Sequence, residues 1–382
     1  MTRLGWSALV LALAVTALGV TLRWPAALAI GVALLVVVLV ALSTLVRPAD
    51  VRIERRISPS RVRKGELAIA HLSLRNRARR SFPGAVGVQE VGGVEVEVGL
   101  PRLRRGEEDV RTSVLPTDRR GQHTVTPVVL RRSDPFGLVR VEQRHGGEGQ
   151  LLVLPRVLEF RALHDSLTRS LEGVADDTTP HGTMTFHQMR EYVPGDDIRR
   201  IHWPSTAKVA HTGQLVVRQD VDDAQPFVVV VVDTRAARYA DAEGLELAID
   251  AAASAVVAAT TGRAPFELRT TGGERIGGPN HQAVDPALEL LALADADAPG
   301  RLTDELTSVR RTRSGAVAVV VTGPADPDEL AAVAALRQRF SRVLLLSITE
   351  EDPPHAGSAG VTFVHGQDAP TLTAAWNVAI RA

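Results

Sequence analysis

The sequence contains no cysteine and almost no lysine. The absence of thiols in all 382 residues excludes disulfides, thiolate metal sites, cysteine nucleophiles and iron–sulfur clusters. Lysine occurs only at Lys64 and Lys208, so arginine supplies nearly all the positive charge. We attribute this preference to the base composition of the genome and not to the function of the protein. Lys plus Arg and Asp plus Glu each total 44, so the net charge is zero. No overall electrostatic field therefore favours binding of nucleic acid. No sequence feature indicates a cofactor.

The N-terminus holds two uncharged apolar runs, residues 4–22 and 26–46, separated by Arg23-Trp24-Pro25. Each run has about the 20 residues that a helix needs to cross a bilayer. We therefore predict a transmembrane hairpin over residues 1–48. A cleaved signal peptide is the alternative for the first run, and it would still leave the second run as a spanning helix.

Basic residues are concentrated after the second run, whereas the hairpin tip offers only Arg23. The basic residues that follow are Arg47, Arg52, Arg55, Arg56, Arg61, Arg63 and Lys64. By the positive-inside rule, both termini and the soluble part should face the cytoplasm of a cell that holds the chain in its inner membrane. The lipid bilayer is then the first predicted partner. A β-module acting outside the cell is the alternative topology.

Residues 49–157 show short alternating segments separated by turn residues, a pattern typical of β-strands. The predicted strands are residues 51–57, 67–74, 94–100, 110–115, 123–130 and 150–154. Several strands at this spacing predict a small β-sandwich.

Residues 225–382 alternate between buried-strand and helix patterns. The runs 226–233 and 316–323 are continuously apolar, as strands covered on both faces are. Helices are predicted at 243–261 and 328–340, among others, and Glu246 and Asp250 argue against a third membrane span. The alternation predicts a doubly wound α/β sheet.

The carboxyl ends of such strands usually hold the ligand site, which directs attention to Asp233. The element order resembles the von Willebrand factor A fold, which binds Mg²⁺ through Asp-x-Ser-x-Ser at this edge. Here Arg235 and Ala237 stand where the serines would be. A guanidinium brings positive charge where the metal would sit, so Asp233 marks a degenerate position and we predict no metal.

Residues 158–224 carry a dense charged motif. Pro194-Gly195 is a turn signal, and Asp196 or Asp197 can cap a short helix that Pro204 is expected to end. The motif residues that we single out are Arg190, Glu191, Tyr192, Gly195, Asp196, Asp197, Arg199, His202, Trp203 and Lys208.

With these residues, the chain resembles the bacterial domain of unknown function 58 family. Arg119-Arg120-Gly121, Asp134-Pro135-Phe136-Gly137-Leu138 and the N-terminal hairpin extend the resemblance over essentially the whole chain. The resemblance implies a membrane anchor, a von Willebrand factor A-like C-terminal domain and work beside a MoxR-type AAA+ ATPase. The family has no established biochemical activity, and a chaperone-like or assembly role at the membrane is what the resemblance implies. This chain departs from the family in lacking a complete Asp-x-Ser-x-Ser.

Three interpretations of the motif remain open. As a brace, its Arg–carboxylate pairs would tie chain segments together while Tyr192 and Trp203 bury apolar surface. As a surface, it would bind a partner. As the site of a hydrolase or transferase at the inner membrane face, it would use His202 as base, Asp196 and Asp197 as acids or ligands, and Arg190 and Arg199 as anion clamps. We favour a membrane-anchored, non-enzymatic adaptor or assembly protein.

Overall fold

The chain forms two units. The computed structural model describes residues 1–45, 50–134, 136–163, 184–191, 201–208, 215–222, 227–278, 281–297, 299–350 and 360–381. One unit is Met1–Leu154 and the other is Pro155–Ala382. The division thus falls shortly before the boundary expected at residue 157.

The first unit begins with two helices, α1 (Arg3–Thr21) and α2 (Pro25–Leu45). Both are long and apolar enough to cross a membrane, which confirms the two apolar helices expected from the sequence. They pack closely: a Cβ atom at Gly31 would lie 2.6 Å from the backbone nitrogen of Thr16. Only glycine fits at this contact.

The rest of the first unit is β structure. Its strands are β1 (Val51–Ser58), β2 (Arg61–Arg63), β3 (Ala68–Asn76), β4 (Ala85–Val91), β5 (Val94–Leu100), β6 (Glu108–Leu115), β7 (Gly121–Val125), β8 (Val128–Ser133), β9 (Arg140–His145) and β10 (Gly149–Leu154). One sheet has the order β1-β3-β6, and the other has the order β2-β10-β7-β4-β8-β9, with β5 paired to β4. Val51 and Leu72 from the first sheet share a core with Val98 and Leu130 from the second.

The alternating patterns located most of these strands but missed β2, β4 and β9. In β4, Gly87 and the buried Gln89 interrupt the apolar alternation. The segment predicted as one strand over 123–130 is two, β7 and β8, with Thr126 and Pro127 between them. Proline has no N–H to donate to a sheet, which explains the break.

The second unit contains a six-stranded sheet. Its strands are β13 (Val228–Val232), β14 (Phe266–Thr270), β15 (Arg275–Gly278), β16 (Gly315–Thr322), β17 (Phe340–Ser347) and β18 (Val361–His365). Earlier in the chain, β11 (Met184–Glu191) and β12 (Val216–Asp222) pair antiparallel in a separate two-stranded sheet. The sheet order is β15-β14-β13-β16-β17-β18, and only β15, at the edge, is antiparallel. The second unit therefore contains a mixed, mostly parallel sheet, as the alternating strand and helix patterns predict.

Helices precede or follow strands of this sheet. They are α4 (Ala242–Thr261), α5 (Val284–Leu293), α6 (Leu302–Thr312), α7 (Pro327–Ala335) and α8 (Ala369–Arg381), while the short α3 (Trp203–Lys208) lies earlier in the chain. By length and composition α4 could also cross a membrane, yet most of its residues are buried inside the unit. Its polar residues Asp250 and Ser254 accept backbone hydrogen bonds from Arg156 and Leu158, both at 2.8 Å.

Two helix boundaries differ from the predictions. The helix expected over 328–340 ends at Ala335, because a 3₁₀ turn follows and Phe340 already begins β17. Pro204, expected to end a helix, lies in the first turn of α3 instead. A first-turn position suits proline, since N–H groups there have no partner inside the helix.

The unpredicted β15 carries two glycines, so its sequence lacks a strand pattern.

The segment Pro155 to Leu163 binds to helices of its own unit. The rings of Phe160 and Trp376 stack with centroids 4.5 Å apart, and Trp376 is fully buried. Arg161 accepts a 3.1 Å hydrogen bond from the Trp376 indole and donates one of 2.8 Å to Asn377. These contacts fix the start of the unit on α4 and α8.

A buried ion-pair network joins β14 to α6. Arg269 donates to Glu267 at 2.6 Å and to Glu305 at 2.9 Å, and its side chain is only 4% exposed. Arg313 reaches the other oxygen of Glu267 at 2.6 Å. Breaking a buried pair on one side leaves a charge without compensation, which is the costly case.

We expect Arg269→Met to destabilise the α/β unit by about 3–5 kcal/mol, because Glu267 and Glu305 lose their shared partner. The measurement is denaturant-dependent hydrogen exchange of β16 in the full chain in detergent micelles. Arg275→Met, on the exposed edge strand, is the matched control and should change stability by less than about 0.5 kcal/mol. Equal effects of the two substitutions would contradict a buried network.

Candidate functional site

A cluster of charged and polar side chains lies at the carboxyl ends of the parallel strands in the six-stranded sheet. After β13 the chain turns to β14 on one side, and later returns to place β16 on the other side. Asp233 and Thr322 therefore meet where the strand order reverses, the place where open α/β sheets bind ligands. Both side chains are fully buried.

Arg235 neutralises Asp233. Its Nε donates to Asp233 Oδ1 at 2.9 Å and its Nη2 donates to Oδ2 at 2.6 Å, a two-point contact that matches the planar guanidinium to the carboxylate. The Arg235 backbone N–H adds a third bond to Oδ1 at 3.1 Å. The residue predicted to stand in the place of a metal ligand thus binds the carboxylate itself.

A second carboxylate, Glu329, links two arginines. Arg235 Nη2 lies 3.1 Å from Glu329 Oε1, and Arg238 Nη2 donates to Oε2. Glu329 also accepts from the backbone N–H of Asp326 at 3.1 Å, which completes a capping box at the start of α7. Arg238 further binds the carbonyl of Pro324 at 2.7 Å. The loops after β13 and β16 are therefore held together by charge.

Hydroxyl groups complete the surroundings of Asp233. Thr271 Oγ1 lies 3.4 Å from Asp233 Oδ1, and Thr322 Oγ1 lies 3.3 Å from Oδ2. The Tyr239 hydroxyl donates to the Asp233 backbone carbonyl at 2.5 Å. We call Asp233, Arg235, Arg238 and Glu329, with these hydroxyls, the edge cluster.

The edge cluster satisfies its own charges. Both oxygens of Asp233 are engaged, so the carboxylate has no open position for proton transfer, which needs a group within reach of substrate. Hydrogen bonding to Asp233 raises the pKa of Arg235 above its usual range, so this guanidinium stays charged. Among the residues that the structure describes, no group of three or more His, Asp or Glu could hold a metal ion.

Sequence reasoning identified Asp233 and Arg235 but missed Glu329, Arg238 and Thr271. The signal for Glu329 was present, because Asp326-Pro327 begins a helix and the residue three after the cap often closes a capping box. Nothing in the local sequence pointed to Arg238. Its position depends on the 3₁₀ turn Ala236–Arg238 that follows β13.

The charged motif is described only in part. Arg190 and Glu191 lie at the end of β11, where their backbones pair with Val217 and Val216. Tyr192, Gly195, Asp196, Asp197 and Arg199 lie outside the described residues. The convergence of Asp196 with His202 that an enzyme site would need stays a prediction.

His202 immediately precedes the short helix α3, and Trp203 is its first residue. The His202 ring Nδ1 lies 2.8 Å from Ser205 Oγ and 3.3 Å from the Ser205 backbone nitrogen, which is a local cap on the helix. The side chain of Trp203 is 63% exposed, and Lys208 at the other end is exposed too. Trp203 is therefore exposed, whereas the brace interpretation expects it to bury apolar surface.

Comparison with known families bears directly on this part of the chain. Residues 188–373 match the family model described as "Protein of unknown function DUF58". The DUF58 match covers just under half of the chain, from the end of β11 into α8. It supports the resemblance drawn from the charged motif. No curated protein matches the chain.

Solved structures resemble the chain only weakly. A CARDB domain from Pyrococcus furiosus, in complex with di-metal ions, is 16% identical over 28% of this chain and 93% of its own, with a TM-score of 0.21. The alkylpurine DNA glycosylase AlkC of Pseudomonas fluorescens is 17% identical over 28% and 30%, with a TM-score of 0.20. The sporulation control protein Spo0M of Bacillus subtilis is 12% identical over 38% and 60%, with a TM-score of 0.19. Likenesses at this level carry no argument about function.

Tyr239 provides a pH-dependent test of the edge cluster. Burial, with the nearby charge of Asp233, raises the pKa of the Tyr239 hydroxyl well above 10. The unfolded chain ionises tyrosine near ~10, so this stabilisation is complete below pH ~10 and is lost as pH rises further. The chain has two tyrosines, and Tyr192→Phe isolates the signal of Tyr239.

We expect Tyr239 in the Tyr192→Phe chain to ionise only as the α/β unit unfolds. The measurement is tyrosinate absorbance against pH in detergent micelles, with hydrogen exchange of β16 as the independent probe of folding. Reversible ionisation near pH ~10 in a chain that remains folded would contradict the buried hydrogen bond.

Proposed function

We propose that this chain is a membrane-anchored, non-enzymatic adaptor whose α/β unit presents its carboxyl-edge loops to a cytoplasmic AAA+ ATPase of the MoxR type. The observation that carries the proposal is the saturation of Asp233 by donors of its own chain. A catalytic or metal-binding carboxylate needs an open position, whereas a docking surface needs loops with a fixed shape. The edge cluster suits the second role.

The anchor in this proposal is the hairpin of α1 and α2. Each helix is about 28–32 Å long at 1.5 Å per residue, which matches a hydrocarbon core of about 30 Å. Large apolar side chains on both helices are exposed, and Trp6 and Trp24 stand near opposite ends of α1. Tryptophan favours the two membrane interfaces. The arginines after α2 favour a cytoplasmic location for both units.

The proposal includes a fold type for each of the two units. We infer a β-sandwich for the first unit, supported by core side chains shared between its two sheets. We infer a von Willebrand factor A-like fold for the second, supported by the parallel sheet with one antiparallel edge strand. In this interpretation Arg235 takes the place of the bound cation, so partner binding needs no metal bridge.

The test is crosslinking and mass spectrometry of the full chain in its native membranes. We expect an AAA+ ATPase to be crosslinked to the loops at residues 234–240 and 323–326, and to be retained when a chelator is present. Recovery of no such ATPase, its release by chelator, or crosslinks confined to other surfaces would contradict the proposal.

A pair of variants sharpens this test. Ala237 is exposed beside the edge cluster, so Ala237→Arg should block docking while leaving the ion pairs intact. Ser314→Arg, before β16 at the opposite edge of the sheet, is the control and should leave capture unchanged. Equal capture by both variants would place the partner elsewhere. Loss of hydrolysis of a defined substrate on His202→Ala would instead favour the rival enzyme hypothesis.

A further inference from the structure

The loop between β8 and β9 is built against the start of the helical hairpin. Thr2 caps α1, and its hydroxyl also donates to the carbonyl of Gly137 at 2.8 Å. The Thr2 backbone N–H donates to the carbonyl of Leu138 at 3.0 Å. A Cβ atom at Gly5 would lie 2.0 Å from that carbonyl oxygen, so the approach requires glycine. The loop is thus joined to the hairpin by backbone contacts.

Apolar side chains extend this contact along the helices. Leu138 and Val139 are buried in a cluster with Val38 and Ala41 of α2, and Leu9 of α1 packs against it. Val38 lies about 10 Å before the end of α2, and Leu9 about 9 Å after the start of α1, at 1.5 Å per residue. The loop therefore reaches more than a helical turn inward from the end of the hairpin.

The length of α1 determines how deep in the bilayer this contact lies. Arg3–Thr21 has 19 residues, about 28 Å, which is just enough for a hydrocarbon core of about 30 Å. A hairpin that crosses the bilayer must place nearly all of α1 inside the core. A loop that packs beside Leu9 and Val38 then lies within the lipid boundary and not above it.

The protein leaves most of one apolar side chain in this loop uncovered. Phe136 is 61% exposed, although its backbone N–H is fixed by a 2.9 Å hydrogen bond to Asp134 Oδ2. Asp134 is buried and also accepts from the Val139 N–H at 2.6 Å, so the loop shape is fixed from inside. Aromatic rings are favourable at the boundary between headgroups and acyl chains.

We propose that the 136–139 loop is a membrane-inserted element, with the Phe136 ring seated in the lipid at the headgroup–acyl boundary beside the hairpin. The occupant of this surface is the same bilayer that the hairpin crosses. The inference rests on the proposed anchoring function. It adds a third membrane contact, which would hold the β region directly against the bilayer surface.

The absence of cysteine makes a direct test possible, because one introduced thiol can be labelled alone. Phe136→Cys carries an environment-sensitive fluorophore in phosphatidylcholine nanodiscs, with nitroxide-labelled lipid or aqueous iodide as quencher. We expect blue-shifted emission, strong quenching by nitroxide placed near the headgroup, and a several-fold lower iodide quenching constant than at a water-exposed site.

Two matched sites separate the possible outcomes. Leu67→Cys, at a 68% exposed apolar position in the turn before β3, is the aqueous reference. Leu11→Cys, 56% exposed near the middle of α1, reports whether the hairpin spans. Lipid quenching at positions 11 and 136 supports the inference. Lipid quenching at position 11 with iodide access at 136 overturns the loop insertion and leaves the anchor intact, whereas iodide access at position 11 overturns both.

Discussion

A fully buried carboxylate at the switch point of the sheet is the constraint on which the second unit depends. Asp233 follows an entirely buried strand, so its charge lies where an isolated ion costs several kcal/mol. Proteins meet this cost with a bound cation, with protonation or with an internal partner. This chain uses the guanidinium of Arg235, placed two residues later in the same loop.

The choice of partner has consequences for the surrounding loops. Arg235 also contacts Glu329, and Glu329 in turn holds Arg238 and caps α7. One chain of charges therefore connects the loop after β13 to the loop and helix after β16. Both oxygens of Asp233 have partners within this edge, and the proposed adaptor role rests on that observation.

The sequence predicts some levels of this structure much better than others. Short continuous apolar runs such as 226–233 identify buried parallel strands, because a strand covered on both faces is apolar along its whole length. Partly polar strands such as β4 and the glycine-rich β15 escaped, since Gly87 and Gln89 interrupt the alternation in β4 and two of the four residues of β15 are glycine. Asp233 and Arg235 lie two residues apart in one loop and could be found together. Glu329 and Thr271 join them only through the fold, as Glu305 joins Arg269.

The most direct test of the account is a double-mutant cycle between Asp233 and Arg235. Asp233→Asn, Arg235→Met and the double variant would be compared by hydrogen exchange of β16 in the full chain. If Arg235 compensates the buried charge, each single substitution costs about 3–5 kcal/mol and the double variant costs less than their sum, by at least about 1 kcal/mol. Additivity within about 0.5 kcal/mol would contradict the central claim.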